Sequence, residues 1–363
     1  MRHLARHIPF SAANPSPRAR CKKWLVVTAL LIWPAVSLAP SPAAGKRYRA
    51  SDTREEITHS QTVELWHYPR DIRSRDLFYG AGGEGHAPHT TFTFTKEDMH
   101  GTNPKFQVRD ENGVKWRVKL GVEGRPETAA SRLLWAVGYS TNQFYFVPDI
   151  KVEGLPRHLH RGQNLIGAEG TIHNVELRRQ VNTEKKIGMW SWHHNPFDGT
   201  REFNGLRVMM ALLNNWDLKD DNNAVYKVAR PGDLELDYRV SDLGASFGTT
   251  GRSWTARESK GNYHSYSHSR FIRKVTPDDV DFYVPTRPAL INFFELPDFI
   301  RRLRLRWIGR DIPRADARWT GQLLVQLSPR QIRDAFRAAG YNGEESAAYA
   351  QVVEARIRQL NGL

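Results

Sequence analysis

The stretch Asn214-Asn215-Trp216-Asp217-Leu218-Lys219-Asp220-Asp221-Asn222-Asn223 follows directly on the apolar run Val208-Met209-Met210-Ala211-Leu212-Leu213. A turn uses one or two Asn or Asp side chains. This segment offers a whole series of carboxylate and amide oxygens at the end of an apolar helix. Such a donor set suits a site that holds a cation and a phosphate together.

Upstream, REFNGLRVMMALL places Leu206, Met209, Met210 and Leu213 on one helical face. Downstream, AVYKV (224–228) and LDYRVSDLG (236–244) read as a hairpin that ends in a further carboxylate, Asp242. From about residue 289 the pattern is helical. Ser328 caps SPRQIRDAFRAAGY, Gly340 terminates it, and a last helix runs from about Glu344 to Leu360.

The first half reads differently. TTFTFT (90–95), KFQVRD (105–110) and VKWRVKL (114–120) alternate in the manner of strands, with Val114, Trp116, Val118 and Leu120 on one face. Asp110-Glu111-Asn112-Gly113 is the turn before the third strand. Pro126 stands where a helix begins, with Leu133, Leu134 and Val137 at helical spacing. QFYFV (143–147) and DIKVEGL (149–155) predict two more strands joined through Pro148. Residues 156–200 read as loop-rich. Residues 40–89 read as a polar extension and linker, and the GAGGEG run within it as a flexible turn, with a phosphate cradle as its sharper alternative.

The N-terminus stands apart. Arg2, Arg6, Arg18, Arg20, Lys22 and Lys23 precede WLVVTALLIWPAVSLA (24–39), which is uncharged and short for a membrane span. A basic region, an apolar region and a small-residue exit predict a cleaved signal peptide over 1–39, and a secreted or periplasmic protein. Loss of those six basic residues takes the net charge from +14 to +8. The only cysteine, Cys21, would leave with the signal, so a packed core and not disulfides must hold the mature chain. The remaining basic surplus is spread out and forms no aromatic-interleaved stripe, which argues against nucleic-acid binding.

Asp217 and Asn222 lie five apart, Asp242 sits in Asp242-Leu243-Gly244, Lys119 lies on the third strand, and Glu127 opens the following helix. In this order the set resembles the protein-kinase-like superfamily: a catalytic loop Asp-x-x-x-x-Asn, an Asp-x-Gly metal triplet, and a strand lysine paired with a helix glutamate. DLGASFG is similar to the HipA-type, phosphatidylinositol-kinase and secretory-pathway kinase branches. The resemblance spans residues 90–250. It implies an α+β fold of two lobes, a small antiparallel sheet lobe (90–155) and a mainly helical lobe (156–288, continued by 289–363).

The resemblance also assigns roles. Asn222 and Asp242 hold magnesium. Lys119, held by Glu127, contacts the α- and β-phosphates of ATP. Asp217 orients an acceptor hydroxyl and takes its proton, and Lys219 faces the transferring phosphate. Gly101, in MHGTNPK, belongs to a phosphate-covering loop, and the adenine lies near residues 146–154. Glu123 offers itself as a second partner for Lys119, since Glu127 follows the lysine by only eight residues. No His-Arg precedes Asp217 and no Ala-Pro-Glu follows the triplet, which departs from protein-kinase activation segments.

The expected function is an exported, ATP- and magnesium-dependent phosphotransferase acting on a hydroxyl of a protein, lipid or glycan. The alternative is a kinase-like nucleotide-binding or scaffold protein of the cell envelope without catalysis. Residues 249–274 carry Arg252, Arg257, Lys260, Arg270, Arg273 and Lys274 against Glu258, either a solvated loop or a receiver of an acidic acceptor. RRLRLRWIGR (301–310) suits peripheral contact with an anionic membrane, or a helix lying over a core. The histidine pairs (158 and 160, 193 and 194, 264 and 268) lack the spacing of a zinc motif.

Overall fold

The computed structural model describes residues 62–101, 103–230, 233–249, 260–284, 300 and 303–363. The signal-peptide and Cys21 readings lie outside the described residues, as do Arg252, Arg257, Glu258, Arg301 and Arg302. Among the described residues no helix is long and apolar enough to cross a membrane.

The architecture is α+β. A short strand β1 (Thr62–Glu64) is followed by β2 (Thr91–Glu97), β3 (Lys105–Arg109), β4 (Lys115–Lys119), helix α1 (Gly124–Ala136), β5 (Phe144–Glu153) and β6 (Thr171–Arg179). Strands β2 to β6 close into a barrel in the order β2-β3-β4-β6-β5, antiparallel except where β2 meets β5. Period-2 alternation fills it: Phe92, Phe106, Val108, Trp116, Val118, Ile150, Val152, Ile172, Val175 and Leu177 all point inward and are buried. On β4 the outward residues Lys115, Arg117 and Lys119 pass from exposed through half-buried to buried. That outer face is therefore covered at the Lys119 end.

Two expectations are corrected in this part. The strands expected on either side of Pro148 are one continuous β5. Its ladder with β6 passes from Val147↔Val175 to Asp149↔His173, and Asn174, opposite the proline, takes φ +55°. Proline has no N–H to donate, and the kinked partner absorbs the missing bond. The segment expected to be loop-rich contains β6 and a further strand, β7 (Glu184–Gly188). The chain thus leaves the barrel at residues 180–183, and 146–154 lie within or at the end of a barrel strand.

Residues 62–89 are not a linker. Leu65, Ile72 and Leu77 are buried in the main core. Two glycines of the run pack tightly: a Cβ on Gly82 would meet the Tyr145 hydroxyl, and one on Gly80, at φ +66°, would meet the Arg132 side chain. There the missing side chain permits close approach.

Beyond the barrel come α2 (Arg201–Leu212), β8 (Asn223–Arg230) and β9 (Asp233–Val240), then α3 (Tyr263–Ser267), β10 (Ile272–Val275), β11 (Asp279–Phe282), β12 (Ile312–Pro313), α4 (Arg314–Leu324), α5 (Pro329–Arg337) and α6 (Gly343–Asn361). Strands β7, β8, β9 and β1 form one sheet, in which β1 runs parallel to β9; β10, β11 and β12 form another. Capping boxes start α5 (Ser328 with Gln331) and α6 (Asn342 with Glu345).

Helix α2 is buried almost throughout and ends at Leu212; Asn214 beyond it takes φ +51°. Its terminal carbonyls are satisfied by Arg356 of α6, 2% exposed, which donates to Leu212 O at 2.8 Å, Asn214 Oδ1 at 2.9 Å and Ser269 Oγ at 2.6 Å. Arg356→Met should remove the charged donor from Asn214 Oδ1 and leave Leu212 O with the Tyr266 hydroxyl alone, at a cost on the order of 2–3 kcal/mol. Urea denaturation should show a lower midpoint with an unchanged m-value.

Candidate active site

Lys119 ends β4 with its side chain outside the barrel, beneath the first turn of α1. Its ammonium lies 2.6 Å from Glu127 Oε2, 2.8 Å from Glu123 Oε2 and 3.5 Å from Asp242 Oδ1. Both glutamates partner the lysine. The other Glu127 oxygen accepts from the Leu243 N–H at 3.4 Å, so α1 grips the Asp-Leu-Gly backbone directly. Asp242 Oδ1 also accepts from the Gly244 N–H at 3.1 Å. Gly244 has a steric reason: a Cβ there would come 2.8 Å from Glu123 Cβ.

The loop of the opening stretch is stitched to that triplet by backbone bonds. The Asn222 carbonyl accepts from Ser241 and Asp242 at 2.8 and 3.2 Å, and the Trp216 N–H donates to Ala245 O at 3.3 Å. Asn222 Nδ2 donates to Asp217 O at 2.6 Å, which engages the amide nitrogen and keeps the amide oxygen for a cation. Lys219 Nζ lies 3.4 Å from Asp217 Oδ1. The remaining polar residues of the stretch are structural. Asn214 joins Gly248, Ser269 and Arg356, Asn223 donates to Trp190 O, and Asp220 accepts from the Trp192 N–H.

Gly101 is the one candidate not drawn into this group. It turns the β2–β3 connection at φ +67°, and its carbonyl accepts from Arg161. The same connection does reach the site through Asn103, whose amide donates to Glu123 Oε2, and Lys260 also pairs with Glu123. The histidines serve locally: His160 pairs with Glu97, and His193 accepts from Trp307 Nε1–H at 2.9 Å.

Several residues at the site carry no motif. Glu176 on β6 stands opposite Lys119 in the ladder and is 1% exposed. Burial and the facing Glu127 carboxylate push its carboxyl well above the ordinary range, and its side chain hydrogen-bonds to Glu127. Burial pulls the Lys119 ammonium down, but Asp242, Glu127 and Glu123 more than offset this and hold it charged. Burial works against Asp242 too, yet Lys119 and the Gly244 N–H keep its carboxyl below its usual value. Around the acids stands a ring of cations. Burial and then Arg178 lower Arg117, burial and then Arg117 lower Lys105, and Lys186 is lowered by burial with Arg178 and Arg117 contributing. Cations that depress one another mark a space where a polyanion would be stabilised.

The donor chemistry suits magnesium. Hard oxygens are available from the Asp242 carboxylate, whose side chain is 42% exposed, and from the Asn222 amide. Glu123, Glu127 and Asp242 also offer oxygens within 4.8 Å of one another, gathered around the Lys119 ammonium.

No protein-family model and no curated protein matches the chain. Among solved structures it is similar to the Helicobacter pylori proinflammatory kinase CtkA, at 10% identity and a TM-score of 0.41, over 76% of this chain and 98% of that one. It is also similar to a Golgi casein kinase, at 10% identity and a TM-score of 0.29, over 74% of this chain and 75% of that one. At these values the likeness decides neither branch nor substrate, and the site is read from its own geometry.

Lys119→Met should strand the buried carboxylates and destabilise the protein by about 3–5 kcal/mol, read by chemical denaturation. Glu176→Gln should act in the opposite sense. A carboxyl held above its ordinary value takes up a proton on folding, which penalises folding from about pH 4 upward, by at most about 1.4 kcal/mol per pH unit. The neutral amide escapes this. The variant should melt above the wild type at pH 7, and the gap should close as the pH falls toward about 4.5.

Proposed function

We propose that the chain is a kinase-like phosphotransferase that binds ATP with magnesium beside Lys119 and transfers phosphate to a hydroxyl acceptor. One observation carries this reading: a lysine from the barrel, two glutamates from the next helix and an Asp-Leu-Gly aspartate 123 residues further on converge on one point. The element order around them is three strands, helix, three strands, buried helix, Asp-x-x-x-x-Asn loop, hairpin and triplet, one strand more than the sequence suggested.

Phosphoryl transfer asks little covalent chemistry of a protein. It needs the triphosphate neutralised and the acceptor aligned. Asp242 and Asn222 would hold magnesium, which would supply neutralisation of the phosphate charge. Lys119, fixed by Glu127 and Glu123, would contact the α- and β-phosphates, and Lys105 and Arg117 would add positive field. Asp217 would accept the hydroxyl proton, with Lys219 beside it facing the transferring group. The adenine would lie against residues 180–183, where the chain leaves the barrel, and not against 146–154 within β5.

Location is part of the proposal. With the signal peptide removed, the enzyme would act in the periplasm or outside the cell on a protein, lipid or glycan hydroxyl. The polar segment that includes Lys260, Arg270, Arg273 and Lys274 would favour an acidic acceptor.

Calorimetry with ATP should show binding in the presence of magnesium and little without it. Asp242→Asn should weaken magnesium-dependent binding at least about tenfold, whereas Asp217→Asn should retain binding and lose transfer by about 100-fold or more. Binding that ignores magnesium, or an Asp242→Asn variant like the wild type, would sink the proposal. Binding without transfer to any protein, lipid or glycan acceptor would leave a nucleotide-binding protein.

A further inference from the structure

The sheet β7-β8-β9-β1 holds a second ionisable group that the Lys119 cluster does not use. Strand β9 alternates: Leu236, Tyr238 and Val240 face the main core, and Glu235, Asp237 and Arg239 share the other face. That charged face is nevertheless buried, with Glu235 8% and Asp237 2% exposed. His67 joins it from the chain just after β1, its backbone fixed by an N–H bond to Gly138 O at 2.9 Å. His67, Glu235 and Asp237 each bring a ligand atom within 4.8 Å of the others.

Among the described residues, His67 Nε2 is buried with no hydrogen-bond partner, and beyond Arg239 the buried Asp237 carboxylate has only the Ser140 hydroxyl as a side-chain hydrogen-bond partner. One Asp237 oxygen is taken by Arg239 at 2.7 and 2.9 Å. A buried carboxylate with one neutral hydroxyl on its second oxygen is poorly compensated, so positive charge beside it would be stabilising. His67 Nε2 lies 3.4 Å from Glu235 Oε1. Two ligands of a tetrahedral zinc ion, each about 2.0–2.1 Å from the metal, stand roughly 3.3 Å apart. The charge count points the same way. Among the described residues, Glu64, Glu184, Glu235 and Asp237 have Arg230 and Arg239 as their cationic partners, a surplus of two negative charges when His67 is neutral.

We propose that His67, Glu235 and Asp237 bind a divalent transition-metal ion of the zinc type, through Nε2 and one oxygen from each carboxylate. One imidazole with two carboxylates is a mixed nitrogen and oxygen set suited to zinc, and a water would complete four-coordination. The ion would tie β1, the described N-terminal strand, to β9, where Thr62↔Glu235 and Glu64↔Asp237 pair in parallel. Its role is a clamp between the N-terminal segment and the sheet behind the catalytic loop.

The test uses the full chain, stripped with a chelator, dialysed against zinc and then against metal-free buffer. Elemental analysis should find about one equivalent of tightly held zinc, and cobalt(II) in its place should give the visible absorption of a four-coordinate site. Zinc should raise the melting temperature. His67→Gln and Asp237→Asn should each weaken zinc binding at least about tenfold, the loss that even outer-shell partners of a metal cause. Asp242→Asn, which breaks the separate acid group around Lys119, should retain the zinc. The proposal is overturned if the wild type holds no zinc, or if His67→Gln keeps it while Asp242→Asn loses it. It is equally overturned if zinc leaves the melting temperature unmoved and the metal-free protein shows a pH-dependent melting that His67→Gln abolishes, since a protonated histidine would then be the missing cation.

Discussion

A buried ammonium is tolerated only among acids, because taking it out of water costs several kcal/mol that nothing apolar can return. Lys119 is 5% exposed, and its position dictates much of what surrounds it. Alternation along β4 puts it on the outer face of the barrel, where solvent would ordinarily satisfy it. The first turn of α1 lies over that face, so Glu123 and Glu127 must replace the solvent. Their approach in turn requires residues without side chains. Gly124 lies 3.0 Å, measured from a notional Cβ, from Glu176 Cβ, and Gly244 is still closer to Glu123. Glu176 adds a further carboxyl to the cluster, and burial beside Glu127 raises it toward the neutral form.

The loop of Asp217 depends on a different device. Helix α2 is buried on nearly every side and ends inside the protein, so its last carbonyls cannot reach water. Asn214 turns the chain in a left-handed conformation and Arg356 covers the orphan acceptors. The loop that follows is fixed at both ends, by Phe247 N–H to Leu213 O at 2.8 Å and by the paired donation of Ser241 and Asp242 to Asn222 O. The C-terminal helix thus helps to position the loop of Asp217 from its Asn214 end.

Much of this was legible in the chain. Strands β2 to β4, α1, α2, the β8–β9 hairpin, and the capped helices α5 and α6 carry strong local signals of alternation, helical spacing and capping. The pairing of Lys119 with Glu127 or Glu123, and the convergence of both with Asp242, was legible through the order of motifs. What escaped has physical reasons. Strand β6 reads HNVELRR, with Glu176 at a position that alternation assigns to solvent, and the covering helix is remote in sequence. Strand β5 contains a proline, which ordinarily ends a strand, and only the kink at Asn174 lets it continue. The segment 62–89 is polar enough to pass for a linker, because its few apolar anchors, Leu65, Ile72 and Leu77, have no period.

Sequence alone determined the local elements and the residues able to neutralise a triphosphate: a strand lysine, first-turn glutamates, and a loop and triplet rich in carboxylate and amide oxygens. Tertiary structure decided which of them meet. It gave Lys119 two glutamates instead of one, left Gly101 outside, and brought in Glu176, Asn103 and Lys260. It also placed His67 beside Glu235 and Asp237. The reason is common to all of these. Propensity and periodicity act over a few neighbouring residues, whereas the cost of burying a charge is settled by whichever groups the folded chain brings within a few ångströms.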